Sequence, residues 1–234
     1  MSLFKFKHFN VNQSHVPQKV GTDAMVLGAL VRGNFPNEIL DVGTGCGVIA
    51  LMLAQKFPHG KVTGIDIDKQ AVVQAQENFD AANFPNHFDA LHKNYLAYRP
   101  SVQFDLIVSN PPYFNSKMPS ADQQRSLARH EDSMSVQELI NHSANLLSQE
   151  GELWLIVPAE RTESLILNHL QLNLHFTQRI KIFGKPNRHV RDVLTFSIKK
   201  IKAMSESTFT IRDEEGKYTE TYKNVTKEFH YNTL

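Results

Sequence analysis

The sequence predicts an open, doubly wound α/β sheet in which most strands run parallel. Three observations support this fold class. From residue 38 onward, apolar segments of strand length alternate with segments of helix length, as in parallel strands joined by helical crossovers. The length of 234 residues suits one α/β domain. The hydrophobic fraction of 41% is enough for a sizeable core, which excludes a wholly disordered chain.

The first half of the alternating region holds three predicted strands and two predicted helices. The strands lie at 38–42, 61–66 and, with a weaker pattern, 88–92. We expect one helix from Val48 to Phe57, where Pro58 ends it, and a second over 69–82 with Asp68 as its N-cap.

The second half continues the alternation and ends in a different kind of connection. Strands are predicted at 104–108 and 152–157, and residues 114–132 form a long polar loop of the kind that is usually functional or mobile. Ser135-Val-Gln-Glu138 fits a capping box, which predicts a helix to about Ser148, and a further helix is expected over 160–170. The last two strands, 179–183 and 192–198, are joined without a helix and should be antiparallel.

Both ends of the chain lie outside this pattern, and we treat 1–234 as a single domain with two additions. Residues 1–20 form a basic arm with three lysines and no acid, and Phe4 and Phe6 alternate with lysines as in a strand. Residues 203–234 are polar with scattered aromatic side chains. We interpret them as an extension packed on the domain; a free tail is the alternative.

Composition excludes several classes of protein. The single cysteine, Cys46, rules out an intramolecular disulfide framework and a zinc site built from cysteines. The longest apolar run, Val48 to Ala54, is too short to cross a bilayer, and the N-terminus has no signal-peptide core. The eleven histidines show no metal-ligand spacing. We therefore expect a cytoplasmic protein with no metal and no membrane partner, and a monomer, although the sequence itself is silent on oligomeric state.

The strongest local motif is Asp41-Val-Gly-Thr-Gly-Cys-Gly47, between a predicted strand and a predicted helix. Glycines there let the backbone approach a ligand closely, beside the unpaired N–H groups of a helix start. Asp66 ends the second strand, 23 residues after Gly43, where an acid accepts hydrogen bonds from two ribose hydroxyls. Asp41 is expected to act indirectly, by orienting loop amides. Cys46 lies at a helix start, where the pKa of a thiol could fall, but we expect only a small filler there.

The glycine spacing distinguishes between cofactors. A dinucleotide site needs G-x-G-x-x-G, whereas here glycines alternate at 43, 45 and 47. This D-x-G-x-G-x-G pattern resembles the S-adenosylmethionine loop of class I methyltransferases. A nicotinamide cofactor and a glycine-rich turn with no ligand are the alternatives.

A second motif, Asn110-Pro-Pro-Tyr113, follows the strand at 104–108, at the sheet edge where open α/β folds bind ligands. Two prolines stiffen the turn and remove two N–H donors. An amino group conjugated to a ring is a poor nucleophile, and two acceptors, the Asn110 side-chain oxygen and the Pro111 carbonyl, would orient it. Tyr113 offers a ring for stacking on a planar target. A turn with a buried tyrosine is the alternative.

These residues resemble a known group. Asn110-Pro111-Pro112-Tyr113 is similar to the N-P-P-Y of amino methyltransferases, which include adenine methyltransferases of DNA and RNA and glutamine methyltransferases of release factors. Only 40 residues precede Asp41, too few for the separate helical domain expected of the glutamine enzymes. Three further stretches resemble bacterial tRNA(1)(Val) adenine(37) methyltransferases, over nearly the whole chain: Gln18–Ala24 with Leu27–Ala29, Arg125-x-x-Ala-Arg-His130, and Tyr218–Tyr231.

The resemblance implies a class I, Rossmann-like sheet of seven strands with helices on both faces, ending in an antiparallel hairpin. It implies S-adenosylmethionine as the cofactor and methylation of the 6-amino group of an adenine in tRNA, with adenine 37 of the anticodon loop as the target. An rRNA or DNA adenine methyltransferase, a protein glutamine methyltransferase, and a cofactor-binding protein without catalysis are the alternatives. The implied cofactor residues are Thr22, Asp23, Asp41, Gly43, Gly45, Gly47, Asp66 and Asn94, and the implied target-base residues are Asn110 to Tyr113.

The net charge of +1 hides an uneven distribution. Residues 179–202 hold eight Lys and Arg against one acid, and the basic arm adds three lysines. Local fields steer association more than the total does, so a tRNA partner is compatible with a nearly neutral chain. Lys117, Arg125 and Arg129, in the long polar loop, are further candidates for RNA contact.

Overall fold

Eight strands form one sheet in the computed structural model, which describes residues 3–16, 18–112, 134–168, 174–199 and 203–231. A separate antiparallel pair, β1 (Leu3–Lys5) and β2 (Asn10–Asn12), precedes it. The strands of the large sheet are β3 (Glu38–Val42), β4 (Lys61–Asp66), β5 (Phe88–His92), β6 (Phe104–Ser109), β7 (Leu147–Pro158), β8 (His175–Phe183), β9 (His189–Ser197) and β10 (Ser205–Thr210).

The strand order is β10-β8-β9-β7-β6-β3-β4-β5. Strands β3 to β7 run parallel, β9 is antiparallel to β7, and β8 and β9 form an antiparallel hairpin. The predicted fold class is therefore confirmed, including the late hairpin. The C-terminal extension adds an eighth strand, because β10 pairs in parallel with β8 at the sheet edge.

Six helices cover the two faces of the sheet within the described residues. They are α1 (Thr22–Leu30), α2 (Val48–Lys56), α3 (Lys69–Ala81), α4 (Val136–Leu146), α5 (Thr162–Asn168) and α6 (Glu220–Thr226). Side chains of α1, α2 and α3 form one buried core, and those of α4 and α5 form the other. Strand β7 serves both, because Trp154 and Ile156 enter the first core while Leu153 and Leu155 enter the second.

Two helix starts follow from local sequence, as predicted. The Asp68 side chain accepts a hydrogen bond of 2.8 Å from the Gln70 N–H at the start of α3. Ser135 and Glu138 form the reciprocal capping box at the start of α4. Helix α5 begins later than expected, at Thr162, because residues 159–161 form a 3-10 turn.

The sequence patterns did not predict α1, β2, β10 or α6. Helix α1 is buried at seven of its nine positions, so it shows no alternation of apolar and polar faces. Strand β10, in contrast, is mostly exposed and so shows no apolar strand pattern. Its first four residues, Ser205 to Thr208, are exposed, and Phe209 is its buried side chain.

The two ends of the described chain pack against each other. Phe6 and His230 form an isolated antiparallel bridge, and the Lys7 N–H donates to the Phe229 carbonyl at 3.0 Å. The Phe6 and Phe9 rings stack with centroids 4.3 Å apart. Across the described ranges, no helix is long and apolar enough to span a bilayer.

Candidate active site

The glycine motif forms the loop between β3 and α2, and its three glycines serve two purposes. Gly43, Gly45 and Gly47 have positive φ angles of 72°, 56° and 80°, which glycine adopts without strain. A Cβ atom at Gly43 or Gly45 would meet nothing within 4 Å, so both leave space for a ligand. A Cβ atom at Gly47 would lie 2.6 Å from Cε1 of Phe79, so Gly47 allows close packing against α3.

A cavity of about 330 Å³ lies directly above this loop. Its wall is formed by residues 18–24, loop residues 43–46 with Val48 and Ile49, and Asn110. Thr22 and Asp23 therefore belong to the wall of this cavity. The volume falls at the lower end of the range for small-molecule pockets. A wall of mixed polar and apolar surface and two open glycine positions fit a flat nucleoside with a short polar chain.

Asp41 is buried beneath the loop, behind the cavity wall. Its Oδ2 accepts hydrogen bonds from Thr44 Oγ1 at 2.8 Å and from the Ala50 N–H at 3.2 Å. Within the described residues, its Oδ1 is buried without a hydrogen-bond partner. Burial raises the pKa of Asp41 to about 7, and the nearby Asp66 adds to the rise. The side chain thus holds the glycine loop to the start of α2 through these two hydrogen bonds.

This burial predicts an unusual pH dependence of stability. Because the folded state holds the Asp41 proton with a pKa of about 7, against about 3.9 when unfolded, the stabilisation is complete below pH 4 and is lost as pH rises through 7. We expect Asp41→Asn, which keeps an acceptor and stays neutral, to raise the free energy of unfolding at pH 8 by about 2–4 kcal/mol. Urea unfolding of the cofactor-free protein at pH 5 and pH 8 measures this effect. Asp80→Asn, at an exposed position of α3, is the control. Equal shifts of both variants at both pH values would contradict the prediction.

Asp66 ends β4 and connects two parts of the loop region. Its Oδ2 accepts from the Gly45 N–H at 2.9 Å, and its Oδ1 accepts from the Asp68 N–H at 2.9 Å. Burial raises the pKa of this carboxyl above its usual range. The residue lies one hydrogen bond behind Gly45 and is not part of the cavity wall. Each carboxylate oxygen keeps acceptor capacity for a second donor, such as a ribose hydroxyl.

Asn110 follows β6 and, of the motif residues 110–112 that the structure describes, is the one that lies in the cavity wall. The Ser109 hydroxyl donates to the Val42 carbonyl at 2.8 Å, which fixes the end of β6 against the end of β3. Pro111 is buried and Pro112 is exposed. The two motifs thus meet at one edge of the sheet. Tyr113, Lys117, Arg125 and Arg129 lie outside the described residues.

Asn94 and Cys46 occupy less direct positions. Asn94 is exposed, lies away from the cavity wall, and its Oδ1 accepts from the Leu96 N–H at 2.9 Å as a cap of the 3-10 turn at 95–97. Cys46 lies in the wall, but burial raises the pKa of its thiol to about 11, the reverse of the lowering that its place at a helix start suggested. A thiol of this pKa stays protonated near neutral pH, so Cys46 is a filler there.

Sequence patterns missed the residues that hold the other wall of the cavity. The Asn78 side chain, buried in α3, donates to the carbonyls of Asn12 and Cys46, both at 2.8 Å, and accepts from the Asn12 N–H. Gln13 accepts from the Val20 N–H at 2.7 Å, and its carbonyl accepts from Lys19 Nζ. These contacts fix the 18–24 wall relative to the glycine loop. The partners of Asn78 are 66 and 32 residues away, and those of Gln13 are six and seven residues away in an irregular segment, so no local motif marks either residue.

A salt bridge links the cavity wall to the β8–β9 hairpin. Arg191 Nε lies 2.9 Å from Asp23 Oδ2, and both side chains are about one-third exposed. Among the described residues, no group of three or more His, Cys, Asp or Glu side chains is arranged to hold a metal ion.

Comparisons with known proteins agree with this geometry. The family model of the methyltransferase small domain matches residues 18–183. A relative named tRNA1(Val) (adenine(37)-N6)-methyltransferase from Bacteroides thetaiotaomicron is 34% identical over 230 residues, which cover 97% of each chain. One of the same name from Porphyromonas gingivalis is 36% identical over 97% of this chain and 94% of the relative.

Solved structures are similar in fold. A predicted O-methyltransferase from Agrobacterium tumefaciens matches with a TM-score of 0.68 at 17% identity, covering 90% of this chain and 98% of that one. A methyltransferase from Pyrococcus furiosus matches with a TM-score of 0.58 at 20% identity, covering 81% and 90%. At these identities the likeness shows the shared α/β fold alone.

Proposed function

Since this chain belongs to the methyltransferase small-domain family, among relatives named tRNA1(Val) (adenine(37)-N6)-methyltransferase, we propose that it methylates the 6-amino group of adenine 37 in tRNA1(Val) with S-adenosylmethionine as the donor. The observation that carries the proposal is the position of Asn110. Asn110 lines the same cavity as the glycine loop, so its side chain would offer an acceptor for the target amino group beside the expected methyl donor.

The glycine loop and its supports would hold the cofactor. Gly43 and Gly45 leave the space above the loop, and Asp66 would accept from the ribose hydroxyls while keeping its bond to the Gly45 N–H. Thr22 and Asp23 would lie near the methionine part, on the opposite wall. When bound, S-adenosylmethionine supplies an electrophilic methyl group on a positively charged sulfur.

Asn110 and Pro111 would orient the nucleophile. The lone pair of an adenine amino group is delocalised into the ring, so the nitrogen attacks poorly unless it is drawn toward tetrahedral geometry. The Asn110 side-chain oxygen and the Pro111 carbonyl would each accept one N–H and aim the lone pair at the methyl group. Such positioning can supply about 7–11 kcal/mol of a barrier, so no strong base is required. The surplus proton leaves to solvent after transfer.

The substrate is tRNA in this proposal, and the target base is turned out of its stack into the site. Bases of an anticodon loop are single-stranded and can be splayed out at low cost. Tyr113, next to Pro112, would stack on the extruded base. We place the reaction in the cytoplasm and assign it to a monomer.

Methyl transfer to four substrate pools tests the proposal. We expect tritium from labelled S-adenosylmethionine to appear in total tRNA, and not in ribosomal RNA, DNA or cell protein. An unmodified tRNA1(Val) transcript should accept about one methyl group, and a matched transcript with guanine at position 37 should accept none. Nucleoside analysis should identify 6-methyladenosine. Label confined to protein would overturn the RNA substrate, and label in the guanine transcript would overturn the position.

A further inference from the structure

The positive charge of the β8–β9 hairpin is mostly neutralised inside the protein, except at its tip. Of the six Lys and Arg side chains described between residues 175 and 199, four pair with carboxylates: Arg179 with Asp192 and Glu163, Lys181 with Glu206, Arg191 with Asp23 and Lys199 with Glu150. Within the described ranges, no carboxylate lies within 4 Å of Lys185 or Arg188. Lys185 Nζ donates to the backbone carbonyl of Glu214 at 3.3 Å, so the two side chains keep their positive charges at the tip without a carboxylate partner among the described residues.

The tip lies at the same sheet edge as Asn110. Strand β6 ends at Ser109, which pairs with Leu155 of β7, and two residues further along β7 Val157 pairs with Asp192 of β9. Asp192 of β9 therefore lies two strand spacings, about 10 Å, across the sheet from the end of β6, and the hairpin tip extends beyond it at this edge. The Arg191–Asp23 salt bridge ties this end of the hairpin to the cavity wall.

A buried carboxylate anchors the base of the tip through three hydrogen bonds. Asp192 has no exposed side-chain surface and accepts from His189 Nε2 at 2.8 Å, from Thr162 Oγ1 at 2.6 Å and from Arg179 Nη2 at 2.8 Å. The His189 ring stacks on the Phe183 ring, with centroids 5.2 Å apart and planes 26° from parallel. The side chain of His189 is still 28% exposed.

Two cations without a carboxylate partner in the described part of the chain, beside a pre-formed, partly exposed ring pair, match the chemistry of single-stranded RNA. Phosphates attract Lys and Arg side chains, and unstacked bases stack on aromatic rings. We propose that the hairpin tip, Phe183 to His189, binds a nucleotide flanking the methylated adenine, with Lys185 and Arg188 on phosphates and the Phe183–His189 rings against a base. This inference rests on the proposed function, because that function places an RNA loop at the Asn110 edge.

The charge part of the proposal is tested with a double variant. We expect Lys185→Ala/Arg188→Ala to weaken binding of the tRNA1(Val) transcript about 10- to 100-fold at low salt, and to lower the slope of log affinity against log salt by about 1.5, for two phosphate contacts. The matched control is Lys199→Ala/Lys223→Ala, which removes two cations already paired with Glu150 and Glu220. It should leave the slope unchanged. Fluorescence anisotropy across a salt series measures both.

The ring part is tested at His189. His189→Gln keeps a donor for Asp192 but removes the ring, so we expect about a tenfold loss of tRNA affinity with the salt slope retained. Affinity for S-adenosylmethionine and the midpoint of urea unfolding should stay at wild-type values.

The outcomes separate this inference from the proposed function. If the wild-type protein methylates tRNA while both hairpin variants bind it normally, the tip is not the contact surface. If the wild-type protein binds tRNA through the tip but labels only protein, the tip is an RNA contact and the proposed reaction is wrong. If the wild-type protein neither binds nor methylates tRNA, both proposals fall.

Discussion

We expect Asn110→Ala to lower the rate of methyl transfer at least about 100-fold, because loss of the acceptor leaves the target nitrogen misplaced by the order of 1 Å. Affinity for S-adenosylmethionine should change little, since the glycine loop and Asp66 keep their mutual hydrogen bond. Single-turnover transfer to the tRNA1(Val) transcript measures the rate, and calorimetry measures cofactor binding.

A matched control is Asn145→Ala, which removes an exposed asparagine on α4. It should behave as wild type in both measurements. If Asn110→Ala lost cofactor affinity and kept its turnover, Asn110 would belong to the cofactor site and the assignment of the target-base site would be wrong.

Asp66→Ala should have the converse effect, a loss of cofactor affinity of about 10- to 150-fold. A hydrogen bond to a charged group contributes about 1.5–3 kcal/mol. The alanine variant lacks the carboxylate that would accept from the ribose hydroxyls and that accepts from the Gly45 N–H. At saturating cofactor the transfer rate should return to within a few-fold of wild type, because Asn110 and Pro111 are untouched.

The neighbouring Asp68→Asn variant is the control for the Asp66 experiment. It removes a charge two residues away and keeps an N-cap acceptor for Gln70. Unchanged cofactor affinity in Asp66→Ala, measured by calorimetry, would remove Asp66 from the ribose.

Much of the fold could be predicted because the signals were local. Strands β3, β4 and β6 are short runs of apolar residues, which predict buried strands. The helix caps at Asp68 and Ser135 depend on residues within one helical turn. Helix α1 and strand β10 could not be predicted. The first is buried almost all round, and the second gains its place from backbone pairing with β8, about 27 residues earlier in the chain.

The residues of the site also divide into those that a local motif predicts and those that it does not. The glycine loop, Asp66 and Asn110 belong to motifs of fixed spacing, and the structure brings them to one edge of the sheet. Asn78 could not be found from the sequence, since its partner Asn12 lies 66 residues away. The count of charges in residues 179–202 did not predict the charge that this surface presents. Glu163, Glu206 and Asp23, which belong to other elements, form salt bridges with several of these cations.

The tethering of the N-terminal pair β1–β2 has a consequence for the order of events during synthesis. Residues 3–16 leave the ribosome before the rest of the described residues, yet Lys7 bonds to Glu228 and Phe229, more than 200 residues later. Closing a loop of more than 200 residues is slow compared with local pairing. The contacts that position the 18–24 wall, Asn78 with Asn12 and Gln13 with Val20, join residues that are all synthesised before β6. A ribosome-bound chain can therefore form this wall early, whereas the Lys7 tether waits for residues 228 and 229.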